Sequence, residues 1–305
     1  MQKRLREGGR IAIVAPSGTI DEGYLQKGVE ALVKAGYDVR LMPHVCDSPV
    51  SVFSSGDKER ASDLTEALQS SDTDIVWCTR GGYGAVRTLQ NIDLDLLRKT
   101  DKVLVGFSDI TALHSVAVNA GKKSLLGPML KHIATHGLES QDVKNTLALL
   151  QGKTVSIECQ AGKGSREGST RAKVVGGNLS IIYSLRGTPA DIRTKGRILF
   201  IEDLMEYRYH IDRMIQNLKF SGVLQGLAGL VVGQMTGMHD GATAFGRDAY
   251  EIVADAVAEY DYPVLMGFPS GHDDSQNQPL LLGGEAILEV KDGRGSLTMG
   301  MRLQK

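Results

Sequence analysis

In the first part of the chain, short unbroken apolar runs alternate with longer stretches whose apolar residues recur every three or four positions. Residues 11–15, 39–42, 74–79 and 103–107 are runs of the first kind and predict strands; the 11–15 run suits a strand buried on both faces. Between them, the chain from Asp21 places Leu25, Val29, Leu32 and Val33 on one helical face, with Gly36 as a C-terminal stop. A second helix over 57–69 turns Leu64, Ala67 and Leu68 inward. Shorter helical patterns follow at 85–90 and 110–121. Strand–helix alternation of this length predicts a parallel sheet covered on both faces.

The pattern changes after about residue 135. A strand-like piece at 154–158 runs into a loop rich in Gly, Lys, Ser and Arg, which sets the expected domain boundary. The expected organisation is residues 1–150, a linker over 151–170, and a second domain over 171–305. In the latter, strands are predicted at 197–201, 229–233, 264–267, 286–290 and 297–303. Helices are predicted at 178–185, 209–220 and 247–260, the last with Ile252, Val253, Ala256 and Val257 inward.

Composition narrows the class. Hydrophobic residues are 42% and charged residues 23%, which excludes disorder. A formal charge of −1 argues against nucleic acid as a partner, and no apolar run approaches the length of a membrane span. The opening MQKRLREGGRIAIVAPSG is basic and then apolar, but its apolar run is shorter than a secretory core, so no signal peptide is expected. Cys46, Cys78 and Cys159 are odd in number and widely spaced, with no CxxC pair. Neither a disulfide framework nor a thiolate zinc site is supported, and a cytoplasmic protein is the default. Glycine is abundant, with 36 residues, so tight turns and close backbone approaches are expected.

The most informative segment is VLVGFSDITALHS, where a buried strand runs directly into Ser108 and a helix begins at once. This order is that of a nucleophile elbow, although Ile110 stands where a second glycine would complete the pattern opened by Gly106. Ser108 would serve equally as a helix N-cap. A nucleophilic serine needs a base and an orienting acid. His114 shares the helix that follows Ser108 and would face elsewhere. His132 and His136 have i, i+4 spacing but no neighbouring Glu and no third ligand, so no metal is expected. His272 lies in the polar loop GFPSGHDDSQNQP, and Glu202 directly follows the strand RILFI. Both could equally be solvated loop residues. RGGYG, from Arg80 to Gly84, lets backbone N–H groups approach a ligand, but Arg87 stands where a dinucleotide fingerprint needs its third glycine. No P-loop is present.

Taken together, IVAPSG, SGDKERASDL, CTRGGYGAVRTL, VGFSDITAL, GPML, VVGGNLSIIYSLRGTP, ILFIEDLMEYRYHIDRMIQNL and FPSGHDDSQNQPLLLG run in order over residues 10–285. The chain thereby resembles the LD-carboxypeptidases, serine peptidase family S66. The resemblance implies a Ser108–Glu202–His272 triad. It also implies an oxyanion hole made by the backbone N–H of Asp109 and that of Gly81 or Gly82. It implies an α/β fold: a glutaminase-like N-terminal domain with a parallel sheet plus a smaller, strand-rich C-terminal α/β domain. The site would lie between the domains of a homodimer, with no metal or organic cofactor. The implied reaction releases the C-terminal D-Ala from the murein tetrapeptide during cytoplasmic peptidoglycan recycling. Arg80, beside the glycine turn, is a candidate to hold the substrate's terminal carboxylate, or else forms a surface ion pair. One departure is visible: Pro279 stands four before Gly283, where the family commonly has LP-x-G.

Three other readings compete. One is hydrolysis of a peptide–nucleotide antibiotic of the microcin C type, against which the length of 305 residues and a single Trp77 inside a predicted strand both count. The second is a nucleotide- or nicotinamide-binding α/β protein. The third is a catalytically silent peptide-binding module.

Overall fold

The apolar runs of the N-terminal half become β1 (Arg10–Val14), β2 (Asp38–Leu41), β3 (Ile75–Cys78) and β4 (Val103–Gly106), joined by a short β5 (Ser124–Leu126). They belong to a computed structural model that describes residues 2–47, 51–273 and 276–300. By contact the chain divides into Met1–Lys153 with Pro279–Gly283, and Thr154–Gln278 with Gly284–Lys305.

In the first unit the parallel strands lie in the order β2-β1-β3-β4-β5, and Leu280–Leu282 adds antiparallel beside β5. Every residue of β3 and β4 is buried, as expected of strands covered on both faces, whereas β2 is an exposed edge. The strand order reverses direction between β1 and β3. In open parallel sheets, ligands bind beyond the carboxyl ends of the strands at such a point. IVAPSG and RGGYG leave the sheet there.

The helices of this unit are α1 (Glu22–Lys34), α2 (Asp57–Gln69), α3 (Ala85–Leu89), α4 (Leu94–Lys99), α5 (Thr111–Asn119), α6 (Leu130–His136) and α7 (Gln141–Leu150). The inward face of α1 differs from the predicted one. Leu25, Gly28 and Leu32 are buried, while Val33 is 52% exposed. Leu130 of α6 seats on Gly28, where an added Cβ would lie 2.6 Å from its Cγ. A glycine that admits a neighbour's leucine outranks a valine in deciding the buried face, and hydrophobicity alone does not show this.

The second unit is nearly as long as the first and contains β6 (Thr154–Gln160), β7 (Gly168–Asn178), β8 (Ile198–Leu204), β9 (Gly229–Thr236), β10 (Val264–Met266), β12 (Glu285–Lys291) and β13 (Arg294–Gly300); β11 is the Leu280–Leu282 strand of the first. Its helices are α8 (Leu179–Ser184), α9 (Arg208–Phe220) and α10 (Ala249–Ala256). β7 serves two sheets. Its first half pairs antiparallel with β12, and the order continues to β13 and β6. Its second half runs parallel to β8, followed by β9 and β10. The burial pattern changes accordingly, from partly exposed to buried at every residue from Val174 to Asn178. The close approach of β8 relies on Gly176, with φ 130°, where an added Cβ would lie 1.9 Å from the Phe200 carbonyl oxygen.

Segment 151–170, expected as a linker, holds β6 and the start of β7. The last strand begins at Arg294 rather than 297, and residues 301–303 of the predicted span lie outside the described residues.

Candidate active site

Ser108 leaves β4 through a sharp turn. Its φ is 62°, and among the described non-glycine residues only Met205 and Asp292 share a positive φ. The left-handed region costs a non-glycine residue roughly 1–2 kcal/mol, so the surrounding structure must enforce it. Gly106 provides the means. Ile110 folds back over it, so an added Cβ would lie 2.4 Å from Ile110 Cγ2. The Gly106 carbonyl is also held, accepting from Gly127 N–H and from His114 Nε2 at 3.1 Å. The elbow therefore forms with isoleucine at the second position. The N-cap alternative does not describe Ser108: Phe107 occupies the cap of the 3₁₀ turn Ser108–Ile110, and Ile110 that of α5. His114, wholly buried beneath the turn, also has Nδ1 2.5 Å from Ser124 Oγ, and burial holds its pKa down to about 4. It is a neutral structural histidine.

Asp109 ties three loops together. Its buried Oδ2 accepts from Ser17 Oγ at 2.5 Å, in the loop after β1, and from Ala85 N–H at 2.8 Å, at the start of α3. Burial pushes its carboxyl pKa up, against the pull of those hydrogen bonds. The glycine turn is thereby fixed against Ser108. An added Cβ on Gly81 would lie 2.8 Å from Ser108 Cβ and 3.2 Å from its Oγ, and the Gly81 carbonyl accepts from Gly18 N–H at 3.1 Å. Gly82, with φ 110°, packs toward Gly18 and Arg80 instead. Arg80 is half-buried and donates from Nη1 to the Thr19 carbonyl at 3.2 Å. Among the described residues no carboxylate forms an ion pair with it.

In the second unit, Glu202 lies within β8 rather than after it, completely buried. Its Oε2 sits 2.7 Å from His272 Nδ1, and its Oε1 accepts from Asn178 Nδ2 at 3.2 Å. His272 belongs to the loop after β10; residues 274 and 275 of that loop lie outside the described residues. Burial alone would lower the His272 pKa, but the charge and hydrogen bond of Glu202, joined by the charge of Asp203, raise it. With Nδ1–H donated to the carboxylate, the neutral ring presents its lone pair at Nε2. Such an imidazole is a base held in one tautomer.

Sequence reasoning passed over Ser17, Asn178 and Asp203. Their only signal is position: each stands at or just beyond the end of a strand, where polar residues are otherwise unremarked. His132 Nε2 lies 2.7 Å from Asp142 Oδ2, and among the described residues no group of three or more His, Cys, Asp or Glu is placed to hold a metal ion.

Residues 11–127 match the LD-carboxypeptidase N-terminal domain and residues 171–288 the LD-carboxypeptidase C-terminal domain. The probable murein peptide carboxypeptidase of Bacillus subtilis is 32% identical over 279 residues, covering 88% of this chain and 86% of that protein. The murein tetrapeptide carboxypeptidase of Pseudomonas aeruginosa is 28% identical over 291 residues, covering 92% and 93%. The crystal structure of the muramoyltetrapeptide carboxypeptidase from Oxalobacter formigenes superposes with a TM-score of 0.85 at 30% identity, over 95% of this chain and 98% of that one. A microcin C7 self-immunity protein shares the fold, with a TM-score of 0.84 at 20% identity, over 100% and 99%. With both domains matched in order and such identity over most of its length, the chain belongs to the LD-carboxypeptidase family of peptidases, S66.

Proposed function

We propose that this enzyme hydrolyses the amide between meso-diaminopimelate and the C-terminal D-alanine of the murein tetrapeptide, with Ser108 as nucleophile, His272 as base and Glu202 as orienting acid. The observation that carries the reading is the enforced left-handed turn at Ser108, with Gly81 packed against its side chain, in a chain whose only described histidine hydrogen-bonded to Glu202 is His272. His272 Nε2 takes the proton from Ser108 Oγ as the oxygen attacks the carbonyl carbon. The resulting oxyanion receives hydrogen bonds from the N–H of Asp109 and of Gly81 or Gly82. The imidazolium then gives its proton to the departing D-alanine nitrogen, and water hydrolyses the acyl-enzyme with His272 again as base. Glu202 orients the ring through Nδ1 and stabilises the imidazolium. D-alanine release from the tetrapeptide, absent in Ser108→Ala, tests the assignment.

Two further expectations arise from the first unit. Gly81 is not among the glycines of positive φ, so an alanine there is opposed by space alone: its Cβ would lie 2.8 Å from Ser108 Cβ, 3.1 Å from the Phe107 carbonyl oxygen and 3.2 Å from Ser108 Oγ. Gly81→Ala keeps the backbone N–H but forces the turn away from Ser108, and is expected to lower kcat by up to about 10²–10³-fold, the worth of one misplaced oxyanion donor, in a folded protein. Near-normal turnover would mean that the turn absorbs the added Cβ without displacing Ser108 or the N–H groups beside it. Arg80, with no carboxylate partner among the described residues, is proposed to bind the substrate's terminal carboxylate. A charge-assisted hydrogen bond of about 1.5–3 kcal/mol predicts a KM increase of about 10–100-fold in Arg80→Ala with kcat little changed. An unchanged KM would return Arg80 to a purely structural role.

The reading includes cytoplasmic peptidoglycan recycling and the homodimer implied by the family resemblance. Trp77 is fully buried in β3 and donates from Nε1 to the Pro128 carbonyl at 3.0 Å, so it is not disposed to cover a nucleobase. This favours the murein peptide over a peptide–nucleotide conjugate.

A further inference from the structure

Successive side chains of a strand point to opposite faces, so Glu202 and Asp203 should not be able to share a partner. They do. The register between β8 and β9 shifts between Ile201 and Asp203, an irregularity that re-aims side chains. The Asn178 Nδ2 group donates both to Glu202 Oε1 at 3.2 Å and to Asp203 Oδ1 at 3.0 Å. The amide cannot turn over without loss, because Asn178 Oδ1 accepts from Ser180 Oγ at 2.7 Å and from Ile181 N–H at 3.2 Å as the cap of α8. Asp203 is held further by Ser180 N–H and Leu204 N–H, both at 2.8 Å. Two adjacent carboxylates are thus kept in the interior, 0% and 1% exposed, and the other end of Glu202 rests on His272.

Two like charges in a dry site are costly, and a packed apolar residue at 203 would avoid that cost. We propose that Asp203 is a positioning residue which, through the shared Asn178 amide and its own charge, sets the pH at which His272 accepts a proton. The inference rests on the reading of His272 as the base. The ionisable groups facing one another are Glu202 and Asp203 from β8 and His272 from the loop after β10; among the described residues no lysine or arginine pairs with either acid. Burial first, and then the charge of Glu202, push the Asp203 carboxyl up to about 7. Asp203 therefore gains its charge in the neutral range, and each increment of that charge strengthens the hold of His272 on its proton.

The test is an NMR titration of the His272 ring beside the pH profile of kcat/KM. In the wild type the ring titration is expected to be biphasic, with a second inflection where Asp203 ionises. In Asp203→Asn the His272 midpoint and the acid limb of kcat/KM should both move to lower pH, by at least about 0.5 units. Asp203→Glu, which keeps the charge, should move both back toward the wild type. A single-site wild-type curve, or an unmoved His272 midpoint in folded Asp203→Asn, would overturn the proposal. A ring titration that shifts while the kinetic limb stays fixed would instead overturn His272 as the base.

Discussion

Ser108→Gly is expected to yield a protein more stable than Ser108→Ala and equally without activity. Both variants remove the oxygen proposed as nucleophile, and loss of a triad nucleophile typically costs at least about 10⁴-fold in turnover. They differ in what they do to the backbone. Alanine inherits the φ of 62°, whereas glycine adopts it without steric cost. Relief of the left-handed strain is partly offset by the greater chain entropy of unfolded glycine, leaving a gain of about 1 kcal/mol. For a chain of this size that corresponds to roughly 1–3 °C in Tm. Thermal unfolding with D-alanine release measured on the same samples checks both halves. A glycine variant no more stable than the alanine variant would mean that the turn is not strained; substantial turnover in either would mean that Ser108 is not the nucleophile.

The second large effect is expected at Glu202. Glu202→Gln preserves volume in a fully buried position, yet the amide can present its N–H₂ to His272 Nδ1 and so favour the tautomer with the proton on Nε2. A base whose reacting nitrogen already carries a proton cannot accept one from Ser108. The predicted loss is about 10⁴-fold in kcat with the fold retained, as expected when an orienting acid is replaced by its amide. A stability signature accompanies it. The raised His272 pKa contributes stability that is full below the unfolded value of about 6.5 and fades as pH rises through the folded value. Without the Glu202 charge this fading should largely disappear, so the variant's stability varies less with pH across that window. Urea unfolding at a series of pH values gives the comparison. Wild-type activity in Glu202→Gln would separate Glu202 from the chemistry.

How far the sequence foretells this arrangement depends on where each feature gets its information. β1, β3 and β4 are readable because strands covered on both faces must be apolar throughout. The turn at Ser108 is readable for a related reason: a buried strand, a serine and an immediate helix leave the chain little other path. α1 is only half readable, since the pocket that Gly28 offers to Leu130 belongs to α6 and not to the local pattern. The strand at 154–158 is readable, but its place in the second unit rather than in a linker is not, because its partner β13 lies more than a hundred residues away. β8 is predicted to stop before Glu202 because a pattern of apolar residues ends where buried acids begin, although the strand continues to Leu204. The bridge from Asn178 to Glu202 and Asp203 depends on a register shift that no spacing reveals. His272, in a polar loop, draws its candidate role from the family resemblance, whereas its hydrogen bond to Glu202 is a matter of tertiary structure.

On the proposed reading, a serine enzyme severs an amide that joins an L-configured centre to a C-terminal D-amino acid. The most direct measurement is alanine release from L-Ala-γ-D-Glu-meso-diaminopimelate-D-Ala, set beside the same peptide ending in L-Ala. Release of alanine from the D-terminated peptide, with little or none from the L-terminated one, is the predicted result. No release from either, or equal release from both, would contradict it.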